Sequence, residues 1–437
     1  MSWATRFRIR EDVRGSLWVV PLLGAVGGAA LASLDALIDQ SIHVPSGWAY
    51  SPSTASTVLS AIVGATAALT GFVVTVTVLV VQMATGTFSA RYMRLWYRDR
   101  MLKAVLALLV GTLAFSFILL SQVESDFVPS LGTWIAGVLL LCCLLLFLLF
   151  LNRALHRLRP VAVATLAADR LRRDFARQEA ALTGAPDIYW GDVEESDERP
   201  NLVVRSVGPG AIQAIHVQGL LRWARGHEQL VVLRHEIGDF VPAGGILIET
   251  YGDGAVSPDN EHTLWGMVAL GEERTLEQDS AFAIRIMVDV ANKALSPAIN
   301  DPTSAVQVLN HLSDVLRLIG TIDVSSSRWE GDRDGRTGLV IPVRNWDEYL
   351  TLSTTEIREY GAGSIQVMRR MRAMLEELHD EVRSENRAAV EAELARLDAT
   401  VLRTFGESVD LDRAGTGDTQ GIGGRAVLRP RSRDSSE

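Results

Sequence analysis

The chain has 437 residues, 48% of them hydrophobic, a mean hydropathy of +0.17 and a formal net charge of −10. Charge is divided unevenly, because residues 1–160 carry twelve basic and seven acidic side chains (net +5) and the remainder carries thirty and forty-five (net −15). These values exclude collagen-like, disulfide-scaffold and wholly disordered chains. An acidic second part without a concentrated basic patch also argues against nucleic acid as the main partner.

Four long apolar segments are the first predicted elements. No Asp, Glu, Lys or Arg occurs in residues 40–90, 104–123 or 127–152. A helix of about 20 apolar residues crosses a hydrocarbon core of about 30 Å. The sequence therefore predicts a cytoplasmic leader (1–16) and a four-helix transmembrane bundle (17–152), with spans at Leu17–Ile38, Thr57–Met83, Ala104–Ser121 and Trp134–Leu151.

Positive charges alternate between the loops that connect these spans. The leader, the loop 84–103 and the segment after the fourth span contain Arg or Lys, whereas the loops 40–56 and 122–133 contain neither. Because positively charged loops stay in the cytoplasm during insertion, we expect both termini on the cytoplasmic side of the membrane.

The second span has one face of small and polar residues. Helical steps of three and four residues connect Ser60, Gly64, Ala67, Gly71, Thr75, Val78 and Gln82. One interpretation is helix packing, since small residues let backbones approach closely in lipid. The other is a water-lined conduit built from this face in several subunits. The candidate pore-lining residues are Ser60, Gly64, Gly71, Thr75 and Gln82.

Charged residues near the membrane surfaces are a second set of candidates. Arg91, Arg94 and Arg98 alternate with aromatic residues after the second span, which favours either contact with lipid headgroups or an anion-concentrating vestibule. Asp35, about one turn from the outer end of the first span, fits either an interfacial cap or a cation-attracting mouth.

Short strands dominate the first part of the remaining chain. After a linker helix and loop (153–200), strand patterns occur at 201–207, 211–217, 230–234, 246–251 and 263–270, with glycine turns at Gly238 and Gly244. They predict a small β-barrel or sandwich (201–270) within a cytoplasmic α+β domain. His235 and Glu236 near Asp239 suggest either an acid–base group or a solvated strand edge.

A helical corner follows, within a predicted helical domain (271–413). Thr275 is the predicted cap of a helix that ends at Ser296-Pro297, and Arg285 and Asp289 are a predicted i, i+4 pair. Asp301 and Pro302 have the residue types favoured at N-cap and N1 of the next helix. The corner is either a structural cap or a ligand site formed by Ser296, Asn300, Asp301 and Thr303.

Residues 345–401 predict three further helices, and the tail 414–437 has a composition typical of disorder. The eight histidines lack metal-ligand spacing, and nucleotide-binding and nucleophile motifs are absent from the sequence. A β segment that resembles half of a lipoyl-type barrel (231–249) lacks the lysine that such domains modify. The sequence therefore predicts no cofactor, no metal and no catalytic residue.

The run at residues 276–305, LEQDSAFAIRIMVDVANKALSPAINDPTSA, resembles the hallmark of a bacterial family of membrane proteins, domain of unknown function 2254. The matching positions are Ala294, Leu295, Ser296, Pro297, Ile299, Asn300, Asp301, Pro302, Thr303 and Ala305. Ala298 and Ala90 depart from the family pattern. The resemblance implies a multi-pass protein of the bacterial inner membrane and carries no assigned activity.

Two functional hypotheses remain at the level of sequence. The first is a homo-oligomeric ion or small-solute channel or transporter, with the second span lining the path. The second is a membrane-anchored regulatory or scaffold protein whose cytoplasmic domain binds a ligand or protein partner. The lipid bilayer is the expected partner in both cases, and an enzyme is the least supported class.

Overall fold

The computed structural model describes residues 1–39, 49–87, 98–124, 127–157, 160–184, 188–190, 199–322, 327–331, 337–406 and 409–423. Contacts divide the chain into two compact units. One, called here the membrane unit, comprises residues 10–159. The other, called the α/β unit, comprises residues 1–9 and the chain from Pro160 onward.

The membrane unit consists of helices. They are α1 (Trp3–Gly15, whose first residues belong to the α/β unit), α2 (Val19–Asp39), α3 (Pro52–Thr87), α4 (Arg100–Ser121) and α5 (Ser130–Arg157). Three stretches are long and apolar enough to cross a membrane: Pro52–Met83, Arg100–Ser121 and Ser130–Ala154. The pair α1 and α2, separated by a bend of 75°, is a fourth candidate. The structure therefore supports three to four of the predicted spans.

Close backbone approach joins α2 to α4. A Cβ atom on Gly24 or Gly28 would collide with the backbone of Ala107 or Gly111, and one on Gly111 would lie 2.9 Å from the Gly24 carbonyl oxygen. Small residues at such crossings let helices associate through dispersion contacts where lipid removes the hydrophobic driving force. Gly27, next to Gly28, has open space around it instead.

The α/β unit contains two open sheets. Its strands are β1 (Ile188–Trp190), β2 (Leu202–Arg205), β3 (Gly210–Ile215), β4 (Leu230–Leu233), β5 (Phe240–Val241), β6 (Ile246–Tyr251), β7 (Val268–Gly271), β8 (Ser327–Gly331) and β9 (Gly338–Pro342). Six form a sheet in the order β1-β8-β9-β4-β6-β2, and three form a sheet in the order β5-β3-β7. Within the described ranges these strands form no closed barrel, so the barrel prediction is not confirmed.

The six-stranded sheet stays open because strands that are far apart in the sequence pair with each other. β4 pairs in parallel with β9, which begins more than 100 residues later. Strands from both sides of the intervening helices therefore share one sheet, whose edges β1 and β2 are not paired with each other. Val204, Val231, Ile248 and Leu339 are buried in the core that this sheet shares with its helices.

Helices complete the α/β unit. They are α6 (Pro160–Gly184), α7 (Val217–His227), α8 (Asn260–Trp265), α9 (Ser280–Ala294), α10 (Pro302–Thr321), α11 (Trp346–Tyr360), α12 (Ile365–Glu381), α13 (Arg387–Phe405) and α14 (Val409–Ala414). α9 packs against α6, α10 and α11 through fully buried residues such as Ile284 and Met287.

Two local predictions are wrong. The predicted strand 263–270 is divided between α8 and β7, because the Ser257-Pro258 turn starts a helix that ends at Trp265 and is capped by Gly266. The cap of α9 is Asp279, whose Oδ1 accepts the amide of Phe282 at 2.9 Å. Thr275 lies outside that helix, where its hydroxyl donates to the Gln213 carbonyl oxygen at 3.2 Å.

Other local predictions are confirmed. The turns at Gly238 and Gly244 have positive φ values of 100° and 77°, and the three helices predicted at 345–401 are α11, α12 and α13. The predicted disorder of the tail (414–437) is not confirmed, because residues 414–423 make specific contacts with α10 and α12. Residues 424–437 lie outside the described residues.

Candidate functional site

The small and polar face of the second span points away from the rest of its bundle. Ser60, Gly64, Gly71, Thr75 and Gln82 are all exposed within the single chain, as are Ala67 and Val78 between them. The opposite face of α3 is buried, and its buried members are Ala55, Leu59, Ile62, Thr66, Val73, Thr77 and Val80. The five pore-lining candidates therefore share one outward surface, called here the α3 outer face (60, 64, 67, 71, 75, 78 and 82).

The side chains of the α3 outer face are mostly small, and none of them is charged. Within the described part of the chain, nothing lies within 4 Å of a Cβ atom built on Gly64 or Gly71. The Thr75 hydroxyl donates to the Gly71 carbonyl oxygen at 2.9 Å, so its oxygen lone pairs remain available as acceptors. The face offers room for a close neighbour and a few weakly polar contacts.

Arg98, the described member of the arginine set, is held in an ion-pair network. It pairs with Glu11 of α1, and Glu11 is also 3.8 Å from Arg14. Lys103 Nζ donates to the Arg14 carbonyl oxygen at 2.5 Å. This network fixes the end of α1 against the start of α4. Arg91 and Arg94 lie outside the described residues.

Asp35 is packed inside the membrane unit. Only 4% of it is exposed, and its carboxylate lies where a Cβ atom on Gly132 would be, in the first turn of α5. A carboxylate beside a helix N-terminus is stabilised by the free amides and by the helix dipole. Burial of this kind argues against an open mouth at Asp35, and the cap interpretation stays a prediction.

The corner between α9 and α10 is a completed helix cap. Asp301 Oδ1 accepts the Ser304 amide at 3.1 Å, and Asp301 Oδ2 accepts the Ser304 hydroxyl at 2.6 Å. The Asp301 amide donates to the Ala294 carbonyl oxygen at 2.8 Å, and Ser296 Oγ donates to the Lys293 carbonyl oxygen at 2.7 Å. The predicted N-cap is therefore confirmed.

Two side chains of this corner stay outside the cap. Asn300 has a positive φ of 50° and an exposed side chain, and Thr303 is exposed as well. Asparagine tolerates this left-handed conformation better than most residues do. Asp301 is already bonded twice, so Asn300 and Thr303 are the candidate residues of this corner whose polar side chains stay exposed. A ligand at this corner stays a prediction.

An ion-pair network between α9 and α11 extends beyond the pair that the sequence predicted. The Arg285 Nε to Asp289 Oδ1 distance is 2.7 Å, which confirms the expected pair. Arg285 also binds Glu356 of α11 through two nitrogens, one of them at 2.8 Å, and Asn292 donates to the same carboxylate at 2.6 Å. The hydrogen bond to Glu356 raises the pKa of Arg285, although burial opposes the shift.

Glu236 belongs to a polar cluster near the N-terminal ends of α9 and α11. Burial raises its pKa, and the nearby Arg344, at 3.3 Å, opposes that shift. Arg274 is bidentate to Asp279 at 2.7 and 3.0 Å. Raised carboxyl pKa values occur at functional sites and in structural ion networks alike. Among the described residues, no group of three or more His, Cys, Asp or Glu could hold a metal ion.

Comparison with known proteins assigns this chain to a family. The family model described as predicted membrane protein, domain of unknown function 2254, matches residues 14–377. The chain belongs to this family. The match covers α2 to most of α12 and leaves α13, α14 and the segment after them outside the family model.

Relatives of this chain occur in mycobacteria. Uncharacterised proteins from two strains of Mycobacterium tuberculosis (CDC 1551 and H37Rv) and from Mycobacterium bovis are 28% identical to this chain over 425 residues. The alignments cover 93% of this chain and 80% of each relative. No solved structure matches the chain significantly. The comparisons thus give a predicted membrane protein with bacterial relatives, and they assign no activity.

Proposed function

We propose that this protein is a homo-oligomeric channel or transporter in which the α3 outer face of each copy lines or borders the path of an ion or small solute. The observation that carries the proposal is the exposure of that face along its whole length, from Ser60 to Gln82. Lipid-facing surfaces are normally rich in large apolar side chains, as on α5, where Leu141, Leu145 and Leu148 are exposed.

Small residues favour the approach of a second copy. The spacing Ser60, Gly64 and Ala67, Gly71, Thr75 repeats a pattern of small residues four apart, which brings helix backbones together in lipid. Where several copies meet around an axis, hydroxyl and carbonyl oxygens on such a face can replace part of the hydration of a passing solute.

Because the α3 outer face is uncharged, we expect the path to select solutes by their size and by weak polar contacts. The described residues of α3 include no Asp, Glu, Lys or Arg, so neither a proton relay nor a fixed-charge ring is available from this helix. The expected cargo is a monovalent ion or a small neutral solute.

Flux through liposomes that contain the purified protein tests this proposal. We expect wild type to release or take up a small ion, and Gly71→Leu to reduce the flux at least tenfold, because the added side chain would fill the path. Gly27→Leu is the matched control, since Gly27 also has open space but lies on α2. Absence of flux from wild type under varied ions and voltages would contradict a conducting role.

The second candidate is a membrane-anchored regulator that binds a ligand or protein partner. The exposed side chains of Asn300 and Thr303 favour it, because their amide and hydroxyl groups can donate hydrogen bonds to a ligand. Thermal denaturation with and without inorganic phosphate tests this candidate. We expect phosphate to raise the melting temperature of wild type, and Asn300→Gly, which keeps the backbone conformation, to lose that shift. Equal shifts in both proteins would exclude this corner as the binding site.

The proposed location is the bacterial inner membrane, with both termini in the cytoplasm. The distribution of Arg and Lys over the loops supports this orientation. Reporter fusions at the two termini test it, and activity of a periplasm-specific reporter at either end would contradict it.

A further inference from the structure

Residues after α14 fold back on the helical part of the α/β unit. Residues 416–423, called here the C-terminal strap, follow α14 and lie across α12. Arg369 Nε donates to the Thr416 carbonyl oxygen at 3.1 Å, and the Asp418 amide donates to the Arg369 carbonyl oxygen at 3.1 Å. Gln366, one turn earlier on α12, donates to the Gly421 carbonyl oxygen at 2.5 Å. Most of these contacts use acceptor groups of the strap.

Asp418 is the centre of the strap. Only 3% of it is exposed, and its carboxylate accepts the amides of Gln420 at 3.0 Å and Gly423 at 2.7 Å, with Arg369 at 4.0 Å. Burial alone would raise the pKa of Asp418, but the backbone amides and Arg369 outweigh it and lower the pKa. The carboxylate of Asp418 therefore stays charged at neutral pH.

The shape of the strap depends on its glycines. Gly421 has a positive φ of 67°, and a Cβ atom there would collide with Val306 in the first turns of α10. The strap thus fills a groove between α10 and α12. This groove contains residues within the family match, whereas the strap lies beyond it.

Polar contacts, more than apolar burial, hold the strap. Its one large hydrophobic side chain, Ile422, is 74% exposed. α12 beneath it is held by buried Met368, Met371 and Leu375. Segments held by polar contacts with little apolar burial open locally, before the surrounding core unfolds. The strap is therefore expected to detach while α12 stays folded.

Detachment would uncover a row of donors. Arg369 and Arg370 are largely buried under the closed strap, with 12% and 6% of their side chains exposed. Arg370 Nε donates to Asn310 Oδ1 at 2.6 Å, whereas its NH1 has no hydrogen-bond partner among the described residues and is 3.6 Å from Glu377. Guanidinium groups bind carboxylate and carbonyl oxygens more strongly than neutral donors do.

We propose that the strap is a displaceable internal ligand, and that the groove it fills on α10 and α12 is a docking site for an extended acidic peptide segment of a protein partner. Such a segment competes with Asp418 for Arg369 and its neighbours. This inference is independent of conduction through the membrane unit.

Hydrogen exchange in the full-length protein tests whether the strap opens by itself. In Asp418→Ala we expect the amides of residues 418–423 to exchange at least tenfold faster than in wild type, with unchanged exchange in α12. Asp412→Ala is the matched control, because Asp412 is an exposed acidic residue on α14 outside the strap. Exchange of the strap and α12 at one common rate would overturn the proposal.

Peptide binding tests the groove directly. The probe is a fluorescent peptide with the sequence of residues 414–424, and its counterpart has Ala in place of the aspartate. We expect full-length Asp418→Ala to bind the probe at least tenfold more tightly than wild type does, and the counterpart to bind at least tenfold more weakly. Equal binding of the probe to both proteins, or no binding to Asp418→Ala, would refute a displaceable ligand.

Discussion

Asp301 stabilises the corner between α9 and α10 by accepting two hydrogen bonds from Ser304. Replacement of an N-cap aspartate by alanine typically costs about 1 kcal/mol, and the lost bond to the Ser304 hydroxyl adds to that cost. We therefore expect Asp301→Ala to lower the free energy of unfolding by about 1–2 kcal/mol, measured by denaturation in detergent. Thr303→Ala, at an exposed neighbouring position, should change it by less than about 0.5 kcal/mol.

Substitutions of Asn300 test the left-handed backbone conformation of the same corner. At φ of 50°, a β-branched residue is strained, whereas glycine is not. Asn300→Val should destabilise the protein by about 1–2 kcal/mol, and Asn300→Gly should be nearly neutral. Equal melting temperatures for the two variants would contradict the assigned conformation.

At the scale of helix pairs, adjacent glycines on α2 provide a matched test. Gly28 faces the Gly111 backbone, whereas Gly27 faces open space. A leucine at Gly28 must separate α2 from α4, so we expect Gly28→Leu to destabilise the membrane unit by about 3 kcal/mol or to prevent its assembly. Gly27→Leu should fold normally. Thermal denaturation in detergent distinguishes the two, and similar losses for both would contradict the α2–α4 contact.

The packing of α6 on α10 predicts a pH effect. His311 of α10 contacts the Thr165 hydroxyl of α6 at 3.1 Å. Burial, and then Arg172, lower the pKa of His311, although Asp169 and Asp314 oppose the shift. The unfolded chain therefore binds the proton more readily, so stability falls as pH decreases below about 6.5. His311→Gln should have a smaller loss of melting temperature than wild type when the pH is lowered from about 7.5 to about 5.5. An identical loss would contradict this role.

For the molecule as a whole, the features that the sequence predicts correctly are those formed by residues close together in the chain. The apolar spans, the glycine turns, the Asp301 cap and the Arg285–Asp289 pair all follow from spacing of a few residues. The partners that the sequence does not reveal lie far along the chain, such as Glu356 for Arg285 and β9 for β4. The strap is not predictable for the same reason, because its composition resembles that of a disordered tail and Arg369 lies 49 residues before Asp418.

The second span illustrates the same limit at the candidate site. Helical spacing identifies its small and polar face, but only the packing of α3 on α4 and α5 reveals that this face points outward. An outward face of this kind either meets lipid or meets another copy, and small residues along its length favour another copy.

Cross-linking in native membranes tests this central claim most directly. In a Cys142→Ser background, which removes the exposed native cysteine, we expect Gly71→Cys to form disulfide-linked dimers under mild oxidation. Gly27→Cys, at an equally open position on α2, should stay monomeric. Equal cross-linking at both positions, or none at Gly71→Cys, would contradict an interface between copies at the α3 outer face.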